Sequence, residues 1–96
     1  MAGKHHGALP PGVEMQRTTG ELDGESVPAG LMRAHRLAPG VWGRLRVSHG
    51  TLGFVWEDTP DDPVALLAGD TLVIPPEVPH HVEPDPDVRF SIEFHR

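Results

Sequence analysis

The sequence predicts an all-β single domain, an antiparallel β-sandwich or small barrel, and three observations carry that prediction. Short apolar runs with period-two alternation recur between Leu31 and Phe94. Turn-forming residues interrupt them about every 8–12 residues, the spacing of sandwich and barrel strands. The 11 glycines and 11 prolines punctuate these runs instead of pooling into a low-complexity tract. A chain of 96 residues has room for one core and no second lobe.

Taken in order, residues 1–8 read as a flexible N-terminal leader and 9–96 as the folded domain. The segment "EMQRTTGELDGESVPAG" (14–30) is polar and turn-rich, with neither a helical period nor a clear strand. "LMRAHRL" (Leu31–Leu37) is expected to be a strand ending at the turn Ala38–Gly40. In "VWGRLRVS", Val41, Gly43, Leu45 and Val47 share one face, and Trp42, Arg44, Arg46 and Ser48 share the other. "TLGFVWE" follows the turn His49–Gly50 and aligns Leu52, Phe54 and Trp56, so these two segments read as a hairpin. "EDTPDDP" is a loop, Val64–Leu67 a short strand, Ala68–Asp70 a turn and Thr71–Ile74 another strand. Pro75, Pro76 and Pro79 cannot donate to a ladder and mark an irregular crossing. "VRFSIEF" closes the chain with Val88, Phe90, Ile92 and Phe94 on one face and Arg89, Ser91 and Glu93 on the other.

Composition excludes several function classes. With 8 basic against 14 acidic residues the net charge is −6, so a nucleic-acid partner is not expected. No apolar stretch approaches the ~18–20 residues of a membrane span, and the N-terminus lacks the apolar region of a secretory signal. A cytoplasmic location is the expectation. The absence of cysteine removes disulfides, thiolate zinc sites and thiol catalysis together. Ser26, Ser48 and Ser91 lack a nucleophile-elbow context, and there is no phosphate-binding glycine loop.

In "GDTLVIPPEVPH", Gly69 is followed after five residues by Pro75, and His80 comes five positions later. This resembles the second motif of cupins, in which a glycine, five residues and a proline precede a metal-ligating histidine. The pieces "AG…H…PGVWG", "PPEVPHHVE" and the closing Phe90–Phe94 narrow the match. Over roughly residues 9–95 the chain resembles the small TehB/YeaR-like cupin domain, found alone or ahead of the methyltransferase of some tellurite-resistance TehB proteins. The resemblance implies a cupin-like jelly-roll barrel, and a link to stress or toxic-oxyanion response. The methyltransferase portion and its cofactor loop have no counterpart here. By analogy with small cupins a homodimer is expected.

The resemblance also directs attention to a metal. The usual first cupin motif places a glutamate seven positions before a turn glycine, and counting back from Gly50 lands on Gly43, which carries no side chain. His35 lies where the paired histidines of that motif belong, without its partner. His35 and His80 are the leading metal candidates, and the family pattern adds Glu83 and Glu93. The ion would be a divalent Zn, Ni, Fe or Mn. Strand parity puts His80 and Val82 on one face and His81 and Glu83 on the other, so Glu83 joins His80 only across a bulge. Glu93 stands opposite Phe90, Ile92 and Phe94, and it competes as a salt-bridge partner of Arg44, Arg46 or Arg89, as does Glu83.

A strand histidine ordinarily packs as a hydrogen-bonded residue, so His35 and His80 carry that alternative too. His81 is expected at the surface, His49 in a turn, and His5, His6 and His95 exposed near the termini. Trp42 and Trp56 fall on different faces, one suited to the core and the other to a pocket wall. Two readings follow. One is a metal-binding cupin acting on a small polar ligand, with Leu45, Phe54 and Trp56 as candidate walls; the other is a metal-free module that binds a small molecule or oxyanion, or docks on a protein partner. The empty position at Gly43 favours the second, the family spacing of His35 and His80 favours the first, and the metal-binding cupin is the leading expectation.

Overall fold

Two β-sheets make the domain, and the chain passes repeatedly from one to the other. The computed structural model describes residues 3–96. Its strands are β1 (His5–His6), β2 (Met15–Thr18), β3 (Leu22–Asp23), β4 (Trp42–His49), β5 (Thr51–Trp56), β6 (Val64–Leu67), β7 (Thr71–Ile74), β8 (His80–Pro84) and β9 (Arg89–His95). A six-stranded sheet runs β1-β7-β4-β9-β2, with β3 also on β9, and a three-stranded sheet runs β6-β5-β8. All pairings are antiparallel except that of β1 with β7.

The alternation read from the sequence explains why the sheets face each other. Leu45 and Val47 of β4, Leu72 and Ile74 of β7, and Phe90 and Ile92 of β9 form one wall of the core. Leu52 and Phe54 of β5, Leu66 of β6 and Val82 of β8 form the other. Leu45, Leu52, Phe54, Leu66 and Phe90 have no solvent exposure. Removing that apolar surface from water is the main stabilising term, at roughly 1.5–3 kcal/mol for each large side chain.

The expected hairpin of β4 with β5 does not form. β4 pairs with β7 and β9, while β5 pairs with β6 and β8. Both strands place apolar side chains inward, so the chain turns a corner at Gly50 and lays β5 on the opposite wall. Gly50 has φ 72°, and a Cβ there would stand 3.0 Å from Asp87 O and from Val88 Cα. Only glycine fits that corner.

Leu31–Leu37 is not a strand. Ala29–Met32 form a 3₁₀ turn after the extended Pro28, with Leu31 N–H donating to Pro28 O at 3.0 Å. Of the remainder only His35 pairs with a strand, through a single bridge to His80. Arg33, Ala34 and Arg36 are exposed and Leu37 is buried, so this stretch lacks the alternation a strand would bury.

The polar 14–30 segment, expected to be strandless, supplies β2 and β3. Every residue of β2 is exposed, so it leaves no apolar pattern; it is held by main-chain pairing with β9. Within the N-terminal eight residues, β1 lies along β7, and Asp70 accepts hydrogen bonds from Lys4 N–H at 2.7 Å and Leu67 N–H at 2.8 Å. These bonds, led by that from Leu67, hold the Asp70 carboxyl below its ordinary pKa range. His5 and His6 were expected to be exposed. His5 is, yet its Nδ1 lies 2.7 Å from Thr71 Oγ1, and His6 is half-buried.

The corner at Gly50 predicts a difference between two glycines. Gly20 also has φ 72°, but nothing stands within 4 Å of its would-be Cβ. Gly20→Ala should cost about 1–2 kcal/mol in urea unfolding, the ordinary penalty of a left-handed alanine. Gly50→Ala should cost clearly more, because backbone atoms block the methyl group. Equal losses would contradict the packed corner.

Candidate functional site

The crossing "PPEVPHH" delivers two histidines to opposite faces of one strand. β8 is regular against β5, with Trp56 opposite His80, Val55 opposite His81 and Phe54 opposite Val82. No bulge intervenes, so His80 and Val82 turn inward while Glu83 is exposed. Main-chain bonds fix the crossing: Glu57 N–H donates to Pro79 O at 3.0 Å, and Glu77 N–H to Leu37 O at 3.0 Å. Glu77 is the one non-glycine residue with positive φ among the described residues, at 64°. Its bond to Leu37 holds this disfavoured conformation in place.

His80 is 3% exposed and lies flat against Phe54, with ring centroids 5.2 Å apart and planes 18° from parallel. Trp56 meets it edge-on at 6.3 Å. His80 Nδ1 donates to Val78 O at 2.8 Å, which assigns the proton and leaves the Nε2 lone pair free. Burial pushes the His80 pKa down, and the Val78 bond only partly opposes this. The result is a neutral imidazole at the rim of the core.

His35 is its cross-strand neighbour. His35 N–H donates to His80 O at 2.8 Å, and His80 N–H donates to His35 O at 2.8 Å. The two rings meet edge to face with centroids 5.5 Å apart. Among the described residues neither ring nitrogen of His35 has a hydrogen-bond partner. Two histidines far apart in sequence thus stand side by side.

Glu83 and Glu93 are not brought to this pair. Glu83 lies 3.3 Å from His81 Nε2 on the outer face of β8. Glu93 lies on the outer face of β9, where its Oε1 accepts from Arg44 Nη2 at 2.9 Å and Arg44 Nε at 3.0 Å. Partial burial works against the Glu93 charge, but the bonds from Arg44 and His95 outweigh it and lower the pKa. Among the described residues no group of three or more His, Asp or Glu side chains is placed to hold a metal ion. The space opposite Gly43 is also occupied: a Cβ there would meet Leu37 Cδ1 at 3.1 Å and Ile74 Cβ at 3.4 Å. A side chain at the position of the usual cupin carboxylate would have to displace the end of Leu37. The donor set present is two imidazoles, short of the three or four protein ligands typical of a divalent centre.

His81 has the opposite character. Its Nδ1 contacts Glu57 and its Nε2 faces Glu83, and both nitrogens can donate only when the ring is protonated. The hydrogen bond to Glu57, more than the one to Glu83, raises the His81 pKa.

Beside His35 the surface opens into a groove of about 340 Å³. One wall is the segment from His35 to Ala38, and the other comes from β2 and the end of β9. Leu37, Val41 and Phe94 give it an apolar floor. Arg17, Arg36 and Arg96, with His35 and His95, supply its polar edge, and no Asp or Glu lines it. Arg17 stacks its guanidinium on Phe94, 4.2 Å from the ring centroid. His95, expected exposed, is only 8% exposed and packs beside Glu93. The sequence reading missed Arg17, His95 and Arg96, because the strand carrying Arg17 has no apolar period and the groove exists only once β2 pairs with β9.

A family model described as the TehB-like domain matches residues 17–92. The chain belongs to the TehB-like family. YeaR of Escherichia coli K12, described as an uncharacterized protein, is 36% identical over a match covering 81% of this chain and 73% of YeaR. A crystal structure of an Escherichia coli K12 protein superposes with TM-score 0.84 at 30% identity, covering 93% of this chain and 95% of that one. A cupin-2 domain protein from Shewanella frigidimarina superposes with TM-score 0.61 at 21% identity, covering 93% of this chain and 76% of that one. The TehB-like domain is therefore a small cupin-like sandwich, as its motif spacing implied.

The two neighbouring histidines should titrate in opposite directions from the ordinary value of about 6.5. Ring-proton NMR should place His81 above that value and His80 below it. The Glu57–His81 stabilisation is fully present below about pH 6.5 and is lost as pH rises through the raised folded value. Glu57→Gln should then cost up to about 1 kcal/mol at pH 6 and less at pH 9. For His80 the sign reverses: stability falls as pH drops from about 6.5 through its lowered folded value. Coincident titrations, or the reverse order, would refute the assignment.

Proposed function

We propose that this domain is a binding module for a small organic molecule held in the groove beside His35. The observation that supports it is the pairing, in one concavity, of an apolar floor at Leu37, Val41 and Phe94 with a polar edge at Arg17, His35 and His95. Ligand sites are of this kind: mostly apolar, a few hundred Å³ in volume, with a small number of polar groups to fix orientation. Among the described residues this groove pairs polar and apolar groups suited to holding a ligand, so the reading is one of binding.

A second reading retains the divalent metal, and the adjacency of His35 and His80 favours it. The His80 Nδ1–H bond to Val78 O is the arrangement that orients a ligating imidazole, with Nε2 turned to the ion. Solvent or the bound molecule would have to supply the remaining ligands.

One pair of measurements separates the two. Amide-shift NMR with benzyl alcohol as a neutral probe should perturb Leu37, Val41 and Phe94 together, and Ala38→Trp, which fills the groove, should abolish the effect. Shifts scattered over the surface, or unchanged in Ala38→Trp, would sink the binding reading. Metal analysis of untagged protein should give no stoichiometric ion under that reading. A stoichiometric ion lost in the His35→Ala/His80→Ala variant would establish the second.

A further inference from the structure

We propose that the groove selects an amphipathic organic anion: a carboxylate or similar oxyanion head carried on an apolar body. The proposal rests on the reading of the groove as a ligand site and specifies what that site takes.

The chain as a whole carries −6, with 14 acidic residues against 8 basic ones. Yet Arg17, Arg36 and Arg96 line the groove, and no Asp or Glu side chain does. Among the described residues the one arginine–carboxylate ion pair is Arg44 with Glu93, so none of the groove arginines is neutralised by a protein acid. Guanidinium groups gathered around one concavity give it a positive potential that raises the local concentration of anions. Such an anion is also kept off most of the remaining surface by the negative charge there.

The floor decides what kind of anion. Over Leu37, which is buried against Gly43, the half-buried Val41 and Phe94 offer an apolar surface that a bare inorganic oxyanion would leave wet. An acid with a short hydrocarbon or aromatic body covers that surface and gains its burial energy. Arg17 already lies over the face of Phe94, which restrains its guanidinium near the groove and limits the entropy lost when it grips a head group. Arginine suits this task because its planar fork donates two parallel hydrogen bonds to a carboxylate. His35, whose ring nitrogens have no hydrogen-bond partner among the described residues, adds a further donor to the same edge.

The test compares hexanoate, the neutral hexanamide and inorganic sulfate by amide-shift titration at low ionic strength. The shifts should centre on Arg17, Leu37, Val41 and Phe94. Hexanoate should bind about tenfold or more tightly than hexanamide, a difference of about 1.4 kcal/mol. Arg17→Gln/Arg36→Gln should bring the hexanoate-to-hexanamide affinity ratio down to about one, and Arg36→Gln alone, at an exposed position, should show part of that loss if the double variant folds poorly. Equal binding of hexanoate and hexanamide would overturn the choice of an anion while leaving the groove a ligand site. Sulfate binding as tightly as hexanoate would overturn the apolar body. Failure of hexanoate and hexanamide alike to perturb the groove would overturn the ligand-site reading itself.

Discussion

Two main-chain hydrogen bonds between His35 and His80 organise everything distinctive about this domain. The segment after the 3₁₀ turn has no strand of its own, and this bridge docks it along β8. Once His35 is fixed, Leu37 falls over Gly43, and its carbonyl accepts the N–H of Glu77 from the proline-rich crossing. The side chains of His35 and His80 are thereby neighbours, and residues 35–38 become the wall of a groove. Remove the bridge and the sandwich core would remain, but the histidine pair and the groove would not.

The same arrangement decides which side chains reach the interior of this cupin-like frame. Position 43 has no side chain, and Leu37 and Ile74 pack closely over it. The interior has been committed to apolar packing. The polar groups that remain are divided between a neutral, buried His80 and a His81 held between Glu57 and Glu83 on the outside. Adjacent residues of one strand thus live in opposite electrostatic settings, because a strand alternates faces at every residue.

Much of the fold was legible in the sequence. Alternation at Val41–Ser48, Thr51–Trp56 and Val88–Phe94 reports half-buried strands, and the resemblance of Gly69, Pro75 and His80 to the second cupin motif picks out the inward histidine. Sheet membership was not legible, because one turn residue serves equally for a hairpin and for a corner between sheets; the backbone of Asp87 and Val88 settles it at Gly50. β2 was invisible for a different reason: a strand exposed on both faces is specified by its partner's hydrogen bonds and leaves no hydrophobic period. Glu83 and Glu93 entered the candidate set by family pattern, whereas strand parity, also readable in the sequence, argued against both, and their side chains indeed point outward to His81 and Arg44. The arginines of the groove come from three separate stretches of chain, a juxtaposition no local pattern encodes.

The direct test of this account is amide hydrogen exchange at His35 and His80. Their N–H groups close one bridge, so both should be protected, with similar factors, and Leu37→Ala should lower the two together while the amides of β4 and β9 stay protected. A His35 amide that exchanges at the rate of an open loop, while His80 and the sheets remain protected, would contradict the claim that this bridge shapes the groove.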